Sequence, residues 1–195
     1  MKHILISTLI LFVHNTNAQQ ETNAIQRFKD YFEAWNNYQF TSDDFRGYLN
    51  DTIYTWHGKK EGKGTMSVFN PFSKWKQWDV AMNGVYSVDS IRYIPGENKI
   101  IASFHETTDF LWFIGMPKGF SATVHYWLDD QGRVKEILYD WSQDNKDFKT
   151  QLKPLVDWAI KYDSLEIADL YLKDGFEPSW TNAIRWTRLM KKYRK

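Results

Sequence analysis

The acids and histidines along the alternating segments are the residues of this sequence best able to do chemistry. Side chains two apart on a strand share a face, and a one-residue step changes face. Over 99–113 this groups Ile100, Ala102, Phe104, Glu106, Thr108 and Phe110 against Ile101, Ser103, His105, Thr107 and Asp109. The first set is the more apolar and is expected to face the core, which sends Glu106 inward and His105 outward. Over 121–128 the same reading sets Ala122, Val124, Tyr126 and Leu128 inward, with His125 and Trp127 opposite. Over 134–142, Val134, Glu136, Leu138 and Asp140 share one face, against Arg133, Lys135, Ile137, Tyr139 and Trp141. Neither of these two sets is cleanly apolar. If Val134 and Leu138 point inward, Glu136 and Asp140 do too.

A carboxylate taken into an apolar pocket loses hydration, its pKa climbs toward neutrality, and it can then exchange a proton with a bound carbonyl compound. On that chemistry Asp140 is the expected base, Glu106 and His57 are further acid–base candidates, and Tyr54 or Tyr126 is a hydrogen-bond donor. The plainer reading pairs Asp140 and Glu136 with Lys135, Arg133 or Arg92, or has them cap the helix near Asp147, and leaves His57 a solvated loop histidine. No metal site is expected, because His105 and Glu106 point apart and no His-x-His or paired helical histidines occur. The chain has no cysteine, no serine in a glycine-flanked elbow and no glycine-rich phosphate loop, so neither a nucleophile nor a cofactor is expected.

The elements that must carry these residues are legible from periodicity. Residues 24–38 repeat Ile25, Phe28, Phe32 and Trp35 at helical steps. Thr41-Ser42-Asp43-Asp44 can cap a second short helix reaching Leu49. A strand is expected over 51–57, a glycine-containing loop over 58–64, and a helix from Asn70-Pro71 with Phe72, Trp75, Trp78 and Met82 near one face, ending at Gly84. Period two then runs over 85–94, 99 to about 113, 121–128 and 134–142, with turns at 95–96, 115–119 and 129–132. That is an antiparallel meander. From Phe148 helical spacing returns, over 148–160, 165–172 and 178–193.

Residues 1–18 have the layout of a secretory signal: Lys2, an apolar run of about ten residues, then Thr16-Asn17-Ala18. The mature chain is expected to start near Gln19 and to be secreted or periplasmic, with no membrane insertion afterwards. Without Lys2, 24 basic residues balance 24 acidic ones, so net charge offers no field for nucleic acid or an anionic membrane. The outlier is aromatic content, with 10 Trp, 11 Tyr and 13 Phe. Trp56, Trp112, Phe110, Tyr126 and Met116 are candidates to line a ligand pocket, and FLWFIGMPKG reads as its lip. Filling the core is the alternative for the tryptophans.

The helix before TSDD, the strand LNDTIYTWHG, the segment HETTDFLWFIGMPKG and the closing DDQGRVKEILYDWSQDN together resemble the NTF2-like superfamily and its SnoaL-like branch. The resemblance covers roughly 24–145. It implies an α+β fold, a conical antiparallel sheet wrapped on N-terminal helices around an apolar pocket. The division expected is a signal at 1–18, the NTF2-like domain at 19–147 and a helical extension at 148–195. Relatives of this fold include ketosteroid isomerases, polyketide cyclases and proteins that only bind. The expected function is accordingly binding of a small apolar or polycyclic molecule, with cofactor-independent isomerase- or cyclase-like proton transfer. The alternative is a non-enzymatic module recognising a protein or glycan at the cell envelope. Relatives dimerise through the sheet face, so a homodimer stays open, depending on whether the extension covers that face.

Overall fold

The computed structural model describes residues 19, 21–37, 46–62, 64–68, 74–140, 143–173 and 175–194. The signal-like segment 1–18, the proposed cap at 41–44, Asn70-Pro71 and Trp141 lie outside the described residues.

Helix α1 spans 21–36 and buries Phe28, Tyr31 and Phe32. Six strands follow in one sheet: β1 Leu49–His57, β2 Thr65–Val68, β3 Val85–Ile94, β4 Lys99–Thr107, β5 Phe120–Leu128 and β6 Val134–Asp140. Their spatial order is β2-β1-β6-β5-β4-β3, so the sheet does not close and β2 and β3 are its edges. β1 runs parallel to β6, and every other pairing is antiparallel. The inner face packs on α1: Phe28 meets Tyr126 with ring centroids 4.6 Å apart, and Phe32 meets Phe104 at 5.9 Å. This is the α+β arrangement that the sequence implies.

Helices α2 (Lys74–Ala81), α3 (Asp109–Phe113), α4 (Gln143–Tyr162), α5 (Ser164–Ile167, continued as a π-helical turn to Leu172) and α6 (Trp180–Tyr193) complete the chain. The tail meets the sheet at its inner face, where Phe148 of α4 stands 6.5 Å from Phe120. α6 packs on α2 and α4, and α4 packs on β5. Phe110 joins the two parts, with its ring 5.3 Å from Trp78, 5.2 Å from Trp186 and 5.6 Å from Phe176.

Three local departures from period two have physical causes. β4 stops at Thr107 instead of running to 113, because the Thr108 hydroxyl accepts the Leu111 amide at 3.0 Å and starts α3. A bulge between Val88 and Ser90 moves the inward set of β3 from Tyr86 and Val88 to Ile91 and Tyr93. In β6, Leu128 opposes Val134 while Trp127 opposes Glu136, so Lys135 is the extra residue. Val134 stays inward, but Ile137 and Tyr139 follow it and Glu136, Leu138 and Asp140 turn outward. Leu49, expected to end a helix, instead begins β1.

Candidate functional site

Two carboxyl groups meet inside the molecule. Glu106 projects from the inner face of β4, directly opposite Tyr86 on β3. Asp79 comes from α2 and has no exposed surface. Its Oδ2 accepts the Trp35 indole N–H at 2.9 Å, and its Oδ1 is buried without a close partner. The Tyr86 hydroxyl is directed at both acids.

Tyr86 is held by α1 as well as by the sheet. Asn36 donates to the Tyr86 carbonyl at 2.7 Å and accepts its amide at 2.8 Å. Those two backbone groups belong to an edge strand, so the Asn36 amide supplies the pairing that a further strand would give.

Burial sets the electrostatics. Loss of hydration raises the Asp79 pKa to about 7, opposed by the Trp35 hydrogen bond, the Lys76 charge and Tyr86. Loss of hydration and the Asp79 charge raise Glu106 to about 8, opposed by Tyr86. The two acids therefore titrate together, near neutrality. Tyr31, Tyr86 and Tyr139 lie near them, with Tyr126 next to Tyr31 and Tyr139, and all four are pushed above the ordinary tyrosine range chiefly by burial, Tyr139 to about 12. They remain hydroxyl donors at any physiological pH. Chemically, the group can keep a proton on Glu106, offer it through Tyr86 and take one back on Asp79.

Tyr86 brings the cluster to the edge of a groove. A groove of about 560 Å³ between α1 and β3 is lined by Ile25, Phe32, Asn36, Tyr86, Val88 and Ile91 among others. Tyr86 is thus both a wall of this groove and a contact of the two acids, and Glu106 retains some accessible surface. A second groove of about 870 Å³, at the other end of α1, is polar, with Arg27, Asp30, Asn98 and Asp129 in its lining. Neither groove has Asp79 or Glu106 in its lining; Tyr86 alone joins the first groove to them.

No protein-family model matches the chain, and no curated protein sequence does. Among solved structures it is similar to a protein of unknown function with a cystatin-like fold from Methylobium petroleophilum PM1. That likeness has 9% identity, 63% of this chain and 77% of that one covered, and a TM-score of 0.49. It is also similar to a putative SnoaL-like polyketide cyclase from Jannaschia sp. CCS1, at 15% identity, 61% and 85% coverage and a TM-score of 0.44. The fold itself is α+β, a mixed six-stranded open sheet with helices.

Within this α+β fold the expected site residues separate. Glu106 lies on the inner face as its parity predicts. His57 ends β1 exposed, stacked on Tyr139 with centroids 5.4 Å apart, and partial loss of hydration lowers its pKa. Tyr126 is buried against Phe28. Asp140 is exposed and stands on the outer face opposite Thr123, so the β6 bulge keeps it away from the interior acids. Tyr54 and Trp56 belong to β1; Tyr54 is exposed opposite outward Glu136, and Lys60 lies over the Trp56 ring at 5.0 Å. Phe110 is 1% exposed and fills the junction with the tail, Met116 packs against that core, and Trp112 points outward. The aromatic pocket lining expected from Trp56, Trp112 and Phe110 is therefore not assembled. Among the described residues no group of three or more His, Asp or Glu side chains could hold a metal ion.

Asp79 and Tyr86 are absent from the sequence expectation. The signal for Asp79 was present: an acid three positions before Met82 and four after Trp75, on the helical stripe otherwise made of Trp and Met. An acid on an apolar helix face is expensive unless it is partnered or used.

The backbone of the site is also tight. Gly119 has φ of +80°, and a Cβ there would stand 2.2 Å from the Glu106 carbonyl oxygen. Gly119→Ala is expected to lose at least about 1–3 kcal/mol from backbone strain and to displace Glu106. Urea unfolding checks this, and an unchanged midpoint would remove the close-approach argument.

Proposed function

We propose that the chain binds a small apolar molecule carrying a carbonyl or hydroxyl group in the groove between α1 and β3, and transfers a proton to or from it. The observation that carries this reading is Tyr86, which lines the groove and reaches both buried acids. Phe32, Val88 and Ile91 supply the apolar walls. Glu106, protonated at neutral pH, is the donor toward the ligand oxygen, with Tyr86 as the linking hydroxyl. Asp79, the more acidic of the pair and with Oδ1 unpartnered, is the acceptor. Such a device performs isomerase- or cyclase-like steps without a cofactor, because proton movement beside a carbonyl needs only matched acids in a poorly hydrated site. The base role expected of Asp140 is here given to the interior pair. The charged start, apolar run and small-residue end of 1–18 support export of the chain.

2-Naphthol tests the site, since it combines a fused apolar ring with one acidic hydroxyl and reports its environment by fluorescence. Saturable binding is expected, with Tyr86→Phe weakening it about tenfold through loss of a hydrogen bond to a charged or acidic group. Absence of saturable binding, or equal affinity in the Tyr86→Phe protein, sinks the proposal.

A further inference from the structure

One surface of the molecule is aromatic, exposed and rimmed by cations, and the site above makes no use of it. Trp112 on α3 is 63% exposed, and so is Tyr162 at the end of α4. They are the two ends of one continuous patch. The Arg194 guanidinium lies 5.8 Å from the Trp112 ring and 4.7 Å from Phe113. Phe113 meets Tyr193 at 6.1 Å, Tyr193 meets Trp158 at 5.6 Å, and Trp158 meets Tyr162 at 5.6 Å. Lys161 closes the row, 4.9 Å over the Tyr162 ring. Three helices distant in sequence thus present one aromatic strip.

Exposed apolar patches on a protein surface mark contact with something else, whereas single exposed residues do not. The chemistry of this patch narrows the choice of occupant. It is built from Trp and Tyr instead of Leu and Ile, and such amphipathic rings settle at the level of lipid headgroups. The charges over its rings are both cations, Arg194 and Lys161, and Lys191 and Lys192 stand in the same last turn of α6, Lys192 paired with Asp163, although the whole chain is nearly neutral. Basic groups beside an anionic bilayer are drawn to its surface charge. Among the described residues no helix is long and apolar enough to cross a membrane, so the contact is with the surface.

We infer that the α3–α4–α6 face docks on the surface of an anionic lipid bilayer, with Trp112 and Tyr162 seated among the headgroups and Arg194 and Lys161 against the lipid phosphates. The patch lies in the tail and in FLWFIG, outside the α1–β3 groove, so docking is independent of the proton-transfer reading.

The test is flotation with vesicles of phosphatidylglycerol and phosphatidylcholine, alongside vesicles of phosphatidylcholine alone. The protein is expected to float with the anionic vesicles only, with a blue shift of tryptophan emission. Trp112→Ala combined with Tyr162→Ala is expected to weaken binding at least about tenfold, and Arg194→Glu combined with Lys161→Glu to abolish it. These side chains are largely exposed, and an unchanged circular dichroism melt confirms that the variants fold. No flotation, equal flotation with neutral vesicles, or binding indifferent to both pairs of substitutions overturns the inference. So does a dimer in sedimentation equilibrium that Trp112→Ala dissolves, which would assign the face to a second copy.

Discussion

Glu106→Gln is expected to leave the protein more stable than its parent at pH 8–9 and little changed at pH 4. The sign follows from the direction of the shifts. Glu106 and Asp79 have folded-state pKa values of about 8 and about 7, above the ordinary 4.5 and 3.8 of the unfolded chain. Between those limits the folded protein holds protons that the unfolded chain has released. Stability therefore falls as pH rises from about 4 to about 8, and the loss is complete above the folded values. Glutamine cannot ionise, and it also removes the charge that Asp79 must titrate against. One pKa unit corresponds to about 1.4 kcal/mol, so the gain at alkaline pH is on the order of 2–5 kcal/mol. Urea midpoints from pH 4 to 9 read it directly. A parent protein that gains stability over that range, or a variant whose curve runs parallel to it, would falsify the buried acid pair. The same substitution is expected to remove any proton-transfer activity, since the amide has no acidic proton to give.

Phe110→Ala is expected to cost about 3–5 kcal/mol, the range for deleting a fully buried aromatic ring. Its ring touches Trp78 of α2, Phe148 of α4, Phe176 and Trp186 of α6, so the cavity falls where the tail meets the rest of the fold. Loss of amide-exchange protection in α6 should exceed that in β4 and β5. A destabilisation under about 1 kcal/mol, or uniform loss of protection, would show that the tail is anchored elsewhere. Because Phe110 does not line the α1–β3 groove, 2-naphthol affinity in the folded fraction should stay as it is.

The contrast between these two residues shows what strand parity can and cannot supply. Glu106 and Phe110 fall in the same alternating set, but β4 ends at Thr107, and a hydroxyl cap converts the next turn to helix. Glu106 thus kept its predicted face, while Phe110 became a core ring of the junction. Asp140 fails for a related reason. One extra residue at Lys135 shifts the phase of β6, and every later side chain changes face. Bulges leave little compositional trace when both faces of a strand are mixed, as here with Val134, Glu136, Ile137 and Tyr139. The interior acids were half legible: Glu106 by alternation, Asp79 only as an unexplained polar residue on a Trp-rich helix.

Composition and periodicity by themselves determined the α+β class, the strand series of the meander, the helical character of the tail and the inward direction of Glu106, because these depend on local spacing alone. Tertiary structure decided which residues meet. Asp79, Tyr86 and Glu106 come from a helix and two strands, and Trp112 and Tyr162 from different helices. Only the pairing of β3 with β4 and the packing of helices on the sheet and on one another bring such groups together. A pKa is set by what surrounds a group in space, and for Asp79 those surroundings include Trp35, 44 positions away in the chain.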